Sequence, residues 1–444
     1  MTGVHVITEL RRLLRLEGFR RLFAVRLVSQ AGDGMFQVGL ATLFFFSPES
    51  AGTATGVAAA FAVLLLPFTV VGPWAGVLLD RWRRRQVLLV GNLVRVAITL
   101  VLSALLLTQG VGPAVYVLAL VNLSINRFLL SALSAGLPRV VDGPLLLTAN
   151  SLTPTLGAGA AFVGGGLGLV LGLVLEPGRA KDAAVLLGAA LLFAAASGLA
   201  TRMAAGLLGP EHPADGQALR RELRDLARGL VDGARHLLAR RTPARALGVM
   251  AVHRFLYGVV FIAAILMSRN LLAGPGQEGL AVFGLVLAVL AIGSAVAVVL
   301  TPVLGQRTGP HRWIVLCLLL AAISQGLLVV TSALPAVLAG AGLLGLAAQG
   351  AKIAIDTIVQ RDTADAYRGR AFALYDVLYN AAFVGAAALA ALALPDAGYS
   401  RAVFAGLGVA YVVVAVAYRA GARRDAAVAT VSGPLPSPPS PAAR

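Results

Sequence analysis

The stretch Gly76-Val77-Leu78-Leu79-Asp80-Arg81-Trp82-Arg83-Arg84-Arg85 interrupts two long apolar segments. An acid followed at once by packed arginines cannot lie in hydrocarbon, where a central charge costs at least about 2.5–3.5 kcal/mol. The stretch is therefore a short turn between two membrane-spanning helices. Cationic turns stay on the cytoplasmic side, so this one orients the whole chain.

Composition widens that reading. Of 444 residues, 58% are hydrophobic and only 13% charged, against the about 25% charged that a soluble domain carries. Apolar segments of spanning length occur near 22–46, 53–79, 86–108, 113–136, 148–175, 183–203, 246–270, 280–304, 313–333, 335–358, 371–394 and 401–419. The expectation is an all-α integral membrane protein with twelve transmembrane helices in two six-helix bundles.

The net charge of +17 would suit a nucleic-acid binder, but its distribution does not. With both termini and the even-numbered turns placed in the cytoplasm, that side holds roughly 27 Lys and Arg. The other side holds about four, namely Arg179, Lys181, Arg269 and Arg401. The basic excess is thus mostly a topology signal that also attracts anionic lipid. It predicts a multi-pass protein of the inner, or plasma, membrane with both ends cytoplasmic and no nucleic-acid partner. The single cysteine, Cys317, lies in an apolar span, which excludes an internal disulfide and a thiolate metal site.

Around the spans, residues 1–20 lack the features of a cleaved signal. Leu10, Leu13, Leu14 and Phe19 among arginines read there as a helix on the inner membrane surface. The first bundle covers 21–204 and the second 245–420. The stretch 205–244 between them opens on the loop Gly209-Pro210-Glu211-His212-Pro213. Leu219, Leu223, Leu226, Leu230 and Leu237 then recur at helical spacing among arginines. That is an amphipathic helix, serving as a linker or as a docking element. Residues 421–444 are rich in Ala, Pro and Ser and read as a disordered cytoplasmic tail. In the second half, Pro302-Val303-Leu304-Gly305-Gln306-Arg307-Thr308-Gly309 occupies the turn corresponding to Gly76–Arg83, a weak internal repeat.

Within the spans, polar residues form stripes. Arg26, Gln30, Asp33 and Gln37 follow at intervals of four, three and four, which puts them on one helical face. Such a face must meet a cavity or a partner. The fourth span carries Asn122, Asn126 and Arg127, the seventh His253, Arg254 and Tyr257, and the tenth Gln349, Lys352, Asp356 and Gln360. Asp376, Tyr379 and Asn380 make a smaller face on the eleventh. Lys352 and Asp356, four apart, can simply neutralise each other. Arg95 reads as a snorkelling residue or one paired within the first half, and His253 as a satisfied residue near a helix end.

These features resemble the major facilitator superfamily of secondary transporters. Its hallmark turn is matched by Gly76, Asp80, Arg81, Arg84 and Arg85, with Arg83 in place of the usual glycine. The resemblance covers about residues 20–420. It implies that this turn gates the cytoplasmic seam, with Asp376 beside it as a gating or substrate-contact residue. It also implies that spans one, four, seven and ten line a central cavity. Arg127 matches the family's fourth-span arginine, which is associated with proton coupling. On that basis Asp33 faces Arg127, either as a proton-coupling pair or as a permanent ion pair. Further cavity residues are Arg26, Gln30, Gln37, Asn126, Arg254, Tyr257, Gln349, Lys352 and Asp356, with Phe44, Phe45 and Phe261 as aromatic lining.

The glycine-rich segment Gly157–Gly166 looks like an exporter motif without its Gly-Pro pair, or like simple helix packing. No phosphate loop, zinc-protease pair or nucleophile elbow occurs, so neither an ATP-driven pump nor an enzyme is expected, and no cofactor or metal. Spans one and four are similar to those of the bacterial enterobactin-exporter-like and transmembrane secretion effector branch. The expected function is therefore proton-coupled export of a drug-like or secondary-metabolite small molecule by a monomer. The alternatives are import on the same fold, or a membrane sensor or scaffold without transport.

Overall fold

The computed structural model describes residues 10–46, 52–60, 82–141, 145–176, 178–209, 241–363 and 365–431, with scattered positions between 224 and 239. Eleven long helices run through the described residues, and no strand occurs among them. They are α1 (Glu17–Ala41), α2 (Arg84–Gln109), α3 (Pro113–Gly136), α4 (Leu145–Val174), α5 (Arg179–Thr201) and α6 (Arg241–Asn270). Then come α7 (Gln277–Thr308), α8 (Pro310–Val330), α9 (Leu334–Asp362), α10 (Asp365–Ala393) and α11 (Arg401–Val431).

Ten helices among the described residues are long and apolar enough to cross a bilayer. The exception is α1, whose stripe from Arg26 to Gln37 lowers its hydropathy; it extends through a π-helical turn, Thr42–Phe46. Of the span expected at 53–79, residues 54–60 are helical and 61–79 lie outside the described residues. The described chain therefore supplies ten spans and α1 against the twelve expected. Several helices run past their apolar segments, α7 to Thr308 and α9 to Asp362, because polar rims continue the helix beyond the hydrocarbon.

Local chemistry sets the ends. Proline stands in the first turn of α3, α8 and α9, where its missing N–H is no loss. Gly110 ends α2 at φ +76°, its N–H bonded to the Leu105 and Leu106 carbonyls (3.2 Å each). On α4, Val163, Leu167, Val170 and Val174 are exposed at spacings of four, three and four, an apolar face suited to lipid.

The chain forms two compact units. One holds the described residues up to Leu230 with Gly258–Leu285 and Tyr379–Ser400; the other holds Val231–Tyr257, Val286–Leu378 and Arg401 onward. This partition differs from a division of the sequence at its midpoint. In the first unit, α1 packs on α4 and α5, and α2 on α3 and α5. The α1–α4 crossing is backbone on backbone. A Cβ at Gly34 would fall 1.7 Å from the Ala161 carbonyl oxygen, and one at Gly164 1.8 Å from that of Ala31. At the basic end, Leu13 and Phe19 are fully buried in a cluster with Leu22, Leu133, Leu137 and Leu208. The segment read as lying on the membrane surface thus tucks Leu13 into the bundle and leaves Leu14 and Leu16 exposed. In the second unit α8 packs on α9 and α11.

A polar clasp explains why the ends of α6 and α10 group with the first unit. The buried Arg269 Nη1 donates to the Phe45 carbonyl (2.6 Å). Asn270 Nδ2 donates to the carbonyls of Gly52 (2.8 Å) and Asp396 (2.6 Å), and the Ala54 N–H donates to Asp396 Oδ1 (2.8 Å). Gln277 Nε2 reaches the Leu173 and Leu175 carbonyls (3.2 and 2.9 Å) at the end of α4. Phe46 packs on Phe283 and Phe261 on Phe283 and Phe383 beside it.

Candidate functional site

The stripe on α1 delivers Asp33, 2% exposed, into the first unit. Its direct partner there is Arg95 of α2, which is fully buried, through Arg95 Nη2 and Asp33 Oδ1. Arg95 Nε donates to Asn122 Oδ1 on α3 (3.0 Å), and Asn122 Nδ2 donates to Thr99 Oγ1 (3.1 Å). Thr99 in turn donates to the Arg95 carbonyl (2.7 Å). The guanidinium lies 3.6 Å from the Phe193 ring centroid of α5, a cation–π contact. Below this layer, Ser29 Oγ donates to Asn92 Oδ1 (3.2 Å). Four helices therefore converge on one buried ion pair. Its Asp33 Oδ2 and Arg95 Nη1 have no hydrogen-bond partner among the described residues.

The cation bonded directly to Asp33 is thus Arg95, while Arg127, the partner expected from the sequence, acts on Asp33 through its charge from farther along α3. Arg127 lies five residues beyond Asn122 on α3, about 7.5 Å along the axis, while Asn122 is the residue level with the pair. Arg95 sits opposite at the right height. The signal for it was present in the sequence: Asn92, Arg95, Thr99 and Ser103 follow at three, four and four, a polar face on an otherwise apolar helix.

The other α1 residues stay together below Asp33. Arg26 is 7% exposed, and Gln30 and Gln37 are half-buried. A Cβ at Gly157 of α4 would sit 1.8 Å from Gln30 Oε1 and 3.1 Å from Arg26 Nε, so both side chains lie against α4 where it has none. Asn126 of α3 is 4% exposed, and Arg127 is half-buried. The glycines Gly157, Gly164, Gly165 and Gly168 all face α1 residues. The segment Gly157–Gly166 is, in this structure, a packing surface. Of the expected aromatic lining, Phe44 is buried and stacked on Tyr116, with ring centroids 4.4 Å apart.

In the second unit Lys352 Nζ donates to Asp356 Oδ2 (2.7 Å), the pairing their spacing suggested, at a half-exposed place on α9. Gln349 is half-buried one turn earlier. The Arg254 guanidinium lies 5.1 Å from the Tyr257 ring centroid on α6. His253 is not near a helix end as expected. It is buried mid-helix between the rings of Tyr257 and Tyr411, and neither ring nitrogen has a partner among the described residues.

Of the residues expected to gate, Gly76, Asp80 and Arg81 lie outside the described residues. Arg84 Nη1 donates to the carbonyls of Ala135, in the last turn of α3, and of Leu208, in the turn segment after α5 (3.2 and 3.0 Å). Arg85 donates to the Ala200 and Thr201 carbonyls (3.3 and 3.1 Å), ending α5. Each guanidinium thus donates to a carbonyl in the last turn of a helix, Ala135 of α3 for Arg84 and Ala200 and Thr201 of α5 for Arg85, and complements the dipole there. Asp376 is exposed on α10.

Comparison with known proteins agrees with this architecture. A profile of the Major Facilitator Superfamily matches residues 247–444. Over 397 residues, the chain is 34% identical to an uncharacterized MFS-type transporter of Mycobacterium bovis and equally to one of Mycobacterium tuberculosis, covering 88% of each chain involved. Among solved structures, the nucleoside transporter NupG superposes with a TM-score of 0.63 at 14% identity, over 90% of this chain and 98% of that one. A POT family transporter in complex with a thioalcohol-conjugated peptide gives 0.64 at 11%, over 91% and 96%. At such identities these two speak for the fold alone. The long match to the mycobacterial transporters, together with the multi-pass helical architecture, places the chain in the major facilitator superfamily of secondary transporters.

Proposed function

We propose that this transporter exports a drug-like or secondary-metabolite small molecule by alternating access, driven by protons entering the cell. Its place is the plasma membrane, with both termini cytoplasmic, as the bias of Lys and Arg between turns supports. The observation that carries the coupling is the buried Asp33–Arg95 pair. Asp33 is the one carboxylate within the expected spans of the first half, and a proton moved across the membrane must rest on a group that can be neutralised. Protonation of Asp33 removes the charge that Arg95 balances, so the pair has two states with different demands on α1, α2 and α3. Asn122 and Phe193 hold the guanidinium in place during the exchange.

The experiment is gradient-driven flux of a panel of fluorescent drugs in everted vesicles. A proton crossing about 100 mV contributes about 2.3 kcal/mol, a concentration ratio of about 50-fold. Asp33→Asn is expected to abolish that accumulation while leaving downhill exchange. Undiminished gradient-driven flux in Asp33→Asn would sink the assignment. Proton-driven accumulation in right-side-out vesicles would instead make the protein an importer.

With this orientation the clasp of Arg269, Asn270 and Asp396 lies on the external face and serves as the outer gate. Losing a charged donor to a buried carbonyl costs about 1.5–3 kcal/mol, or about 10- to 150-fold in the open population. Cys317 is buried, so an added cysteine reports cleanly. In Arg269→Ala, labelling of Gln37→Cys by an external impermeant maleimide is expected to speed up by that range. An unchanged rate would show that the clasp does not gate.

A further inference from the structure

The transport reading leaves one group of buried polar atoms without a task. Arg26 is 7% exposed, and its buried Nε has no hydrogen-bond partner among the described residues. Asn126, 4% exposed, has an unpartnered Oδ1, and Gln30 an unpartnered, buried Oε1. Within the expected spans of the first half, Arg202 at the end of one aside, stand three arginines, Arg26, Arg95 and Arg127, and one carboxylate, Asp33. Asp33 is consumed by Arg95. That leaves net positive charge around Arg26 in a low-dielectric interior, which is costly unless an anion enters.

The geometry concentrates that excess. Arg26 lies seven residues, about 10 Å, before Asp33 on α1, and Asn126 four residues beyond Asn122 on α3. The Ser29–Asn92 bond ties α1 to α2 at this same depth. Gly157 presents bare backbone to Arg26 and Gln30. A guanidinium offers a planar fork matched to carboxylate, sulfonate or phosphate oxygens. Gln30 and Asn126 add amide groups that can donate to the same oxygens.

We propose that Arg26, Gln30 and Asn126 bind an acidic group of the transported molecule, which is therefore an organic anion. The site rests on the transporter reading but is separate from the Asp33–Arg95 pair, whose two charges balance each other while Asp33 is ionised.

Thermal unfolding of the purified chain in phosphatidylcholine nanodiscs tests this, with salicylate and cholate as anionic probes and tetraphenylphosphonium as the cationic one. Both anions are expected to raise the unfolding temperature in the wild type and in the double variant Asp33→Asn with Arg95→Gln, in which the pair holds no unbalanced charge. Their apparent affinity is expected to fall at least about tenfold in Arg26→Gln, with part of it kept in Arg26→Lys. Asn126→Ala weakens them less and guards against misfolding of the arginine variant. Stabilisation by the cation alone, by no probe, or by the anions equally in Arg26→Gln overturns the site. Arg26-dependent stabilisation by added phosphatidylglycerol without an effect of the soluble anions also overturns it, making the site one for lipid. Arg26-dependent anion binding in a protein that shows no gradient-driven flux keeps the site and removes the coupling reading; flux without anion binding does the reverse.

Discussion

Arg95→Gln is expected to cost about 3–5 kcal/mol of stability, the range seen when one partner of a buried ion pair is removed. The arginine is fully buried and touches three other helices. Without it, the 2% exposed Asp33 loses its directly bonded cation, so the carboxylate must either take up a proton or force water into the bundle. Asn122 loses the donor to its Oδ1 at the same time. Folded yield in detergent should fall sharply. The companion change Asp33→Asn should restore most of it, because two neutral amides of similar size can bond to each other. A double-mutant cycle measured by thermal unfolding gives the coupling. Additive losses in the double variant would mean that the two side chains are not held as a pair. Transport should stay uncoupled in the rescued protein, which separates the pair's structural role from its role in proton movement.

How much of this could be read in advance depends on which atoms make each contact. Span positions were readable because hydrocarbon imposes one rule on every helix: α2 and α3 start and stop within two residues of their apolar segments. Lys352–Asp356 was readable because both partners sit on one helix at a fixed spacing. Which arginine bonds Asp33 directly was not, since a stripe on α1 gives a direction and a height but not which of several cationic helices comes closest. The periodic face through Arg95 narrows that choice only once the depth of Asn122 is known. The clasp was less readable still. Arg269, Asn270 and Gln277 grip carbonyls of Phe45, Gly52, Leu173 and Leu175, and a backbone acceptor leaves no mark on residue type. For the same reason Arg84 and Arg85 read as pure charge, whereas each closes the end of a helix.

The glycine-rich segment of α4 offers the sharpest separation between a packing surface and a functional motif, because its glycines are not equivalent. A methyl group at Gly164 would lie 1.8 Å from the Ala31 carbonyl oxygen and one at Gly34 1.7 Å from that of Ala161, contacts that backbone cannot relieve without parting the helices. At Gly159 and Gly166, in the same stretch, an added methyl group would meet nothing within 4 Å. Gly164→Ala and Gly34→Ala are therefore expected to destabilise at the upper end of the about 1–3 kcal/mol known for overpacked cores, or beyond it. Gly159→Ala and Gly166→Ala should be neutral or slightly stabilising through helix propensity. Unfolding temperatures of the four variants decide the matter. The loss at Gly164 reaches further than α4, since separating the α1–α4 crossing shifts the stripe that carries Arg26 and Asp33 and so disturbs both the anion site and the ion pair. If all four glycines proved equally sensitive in transport and none in stability, the segment would act on the transported molecule and not on the fold.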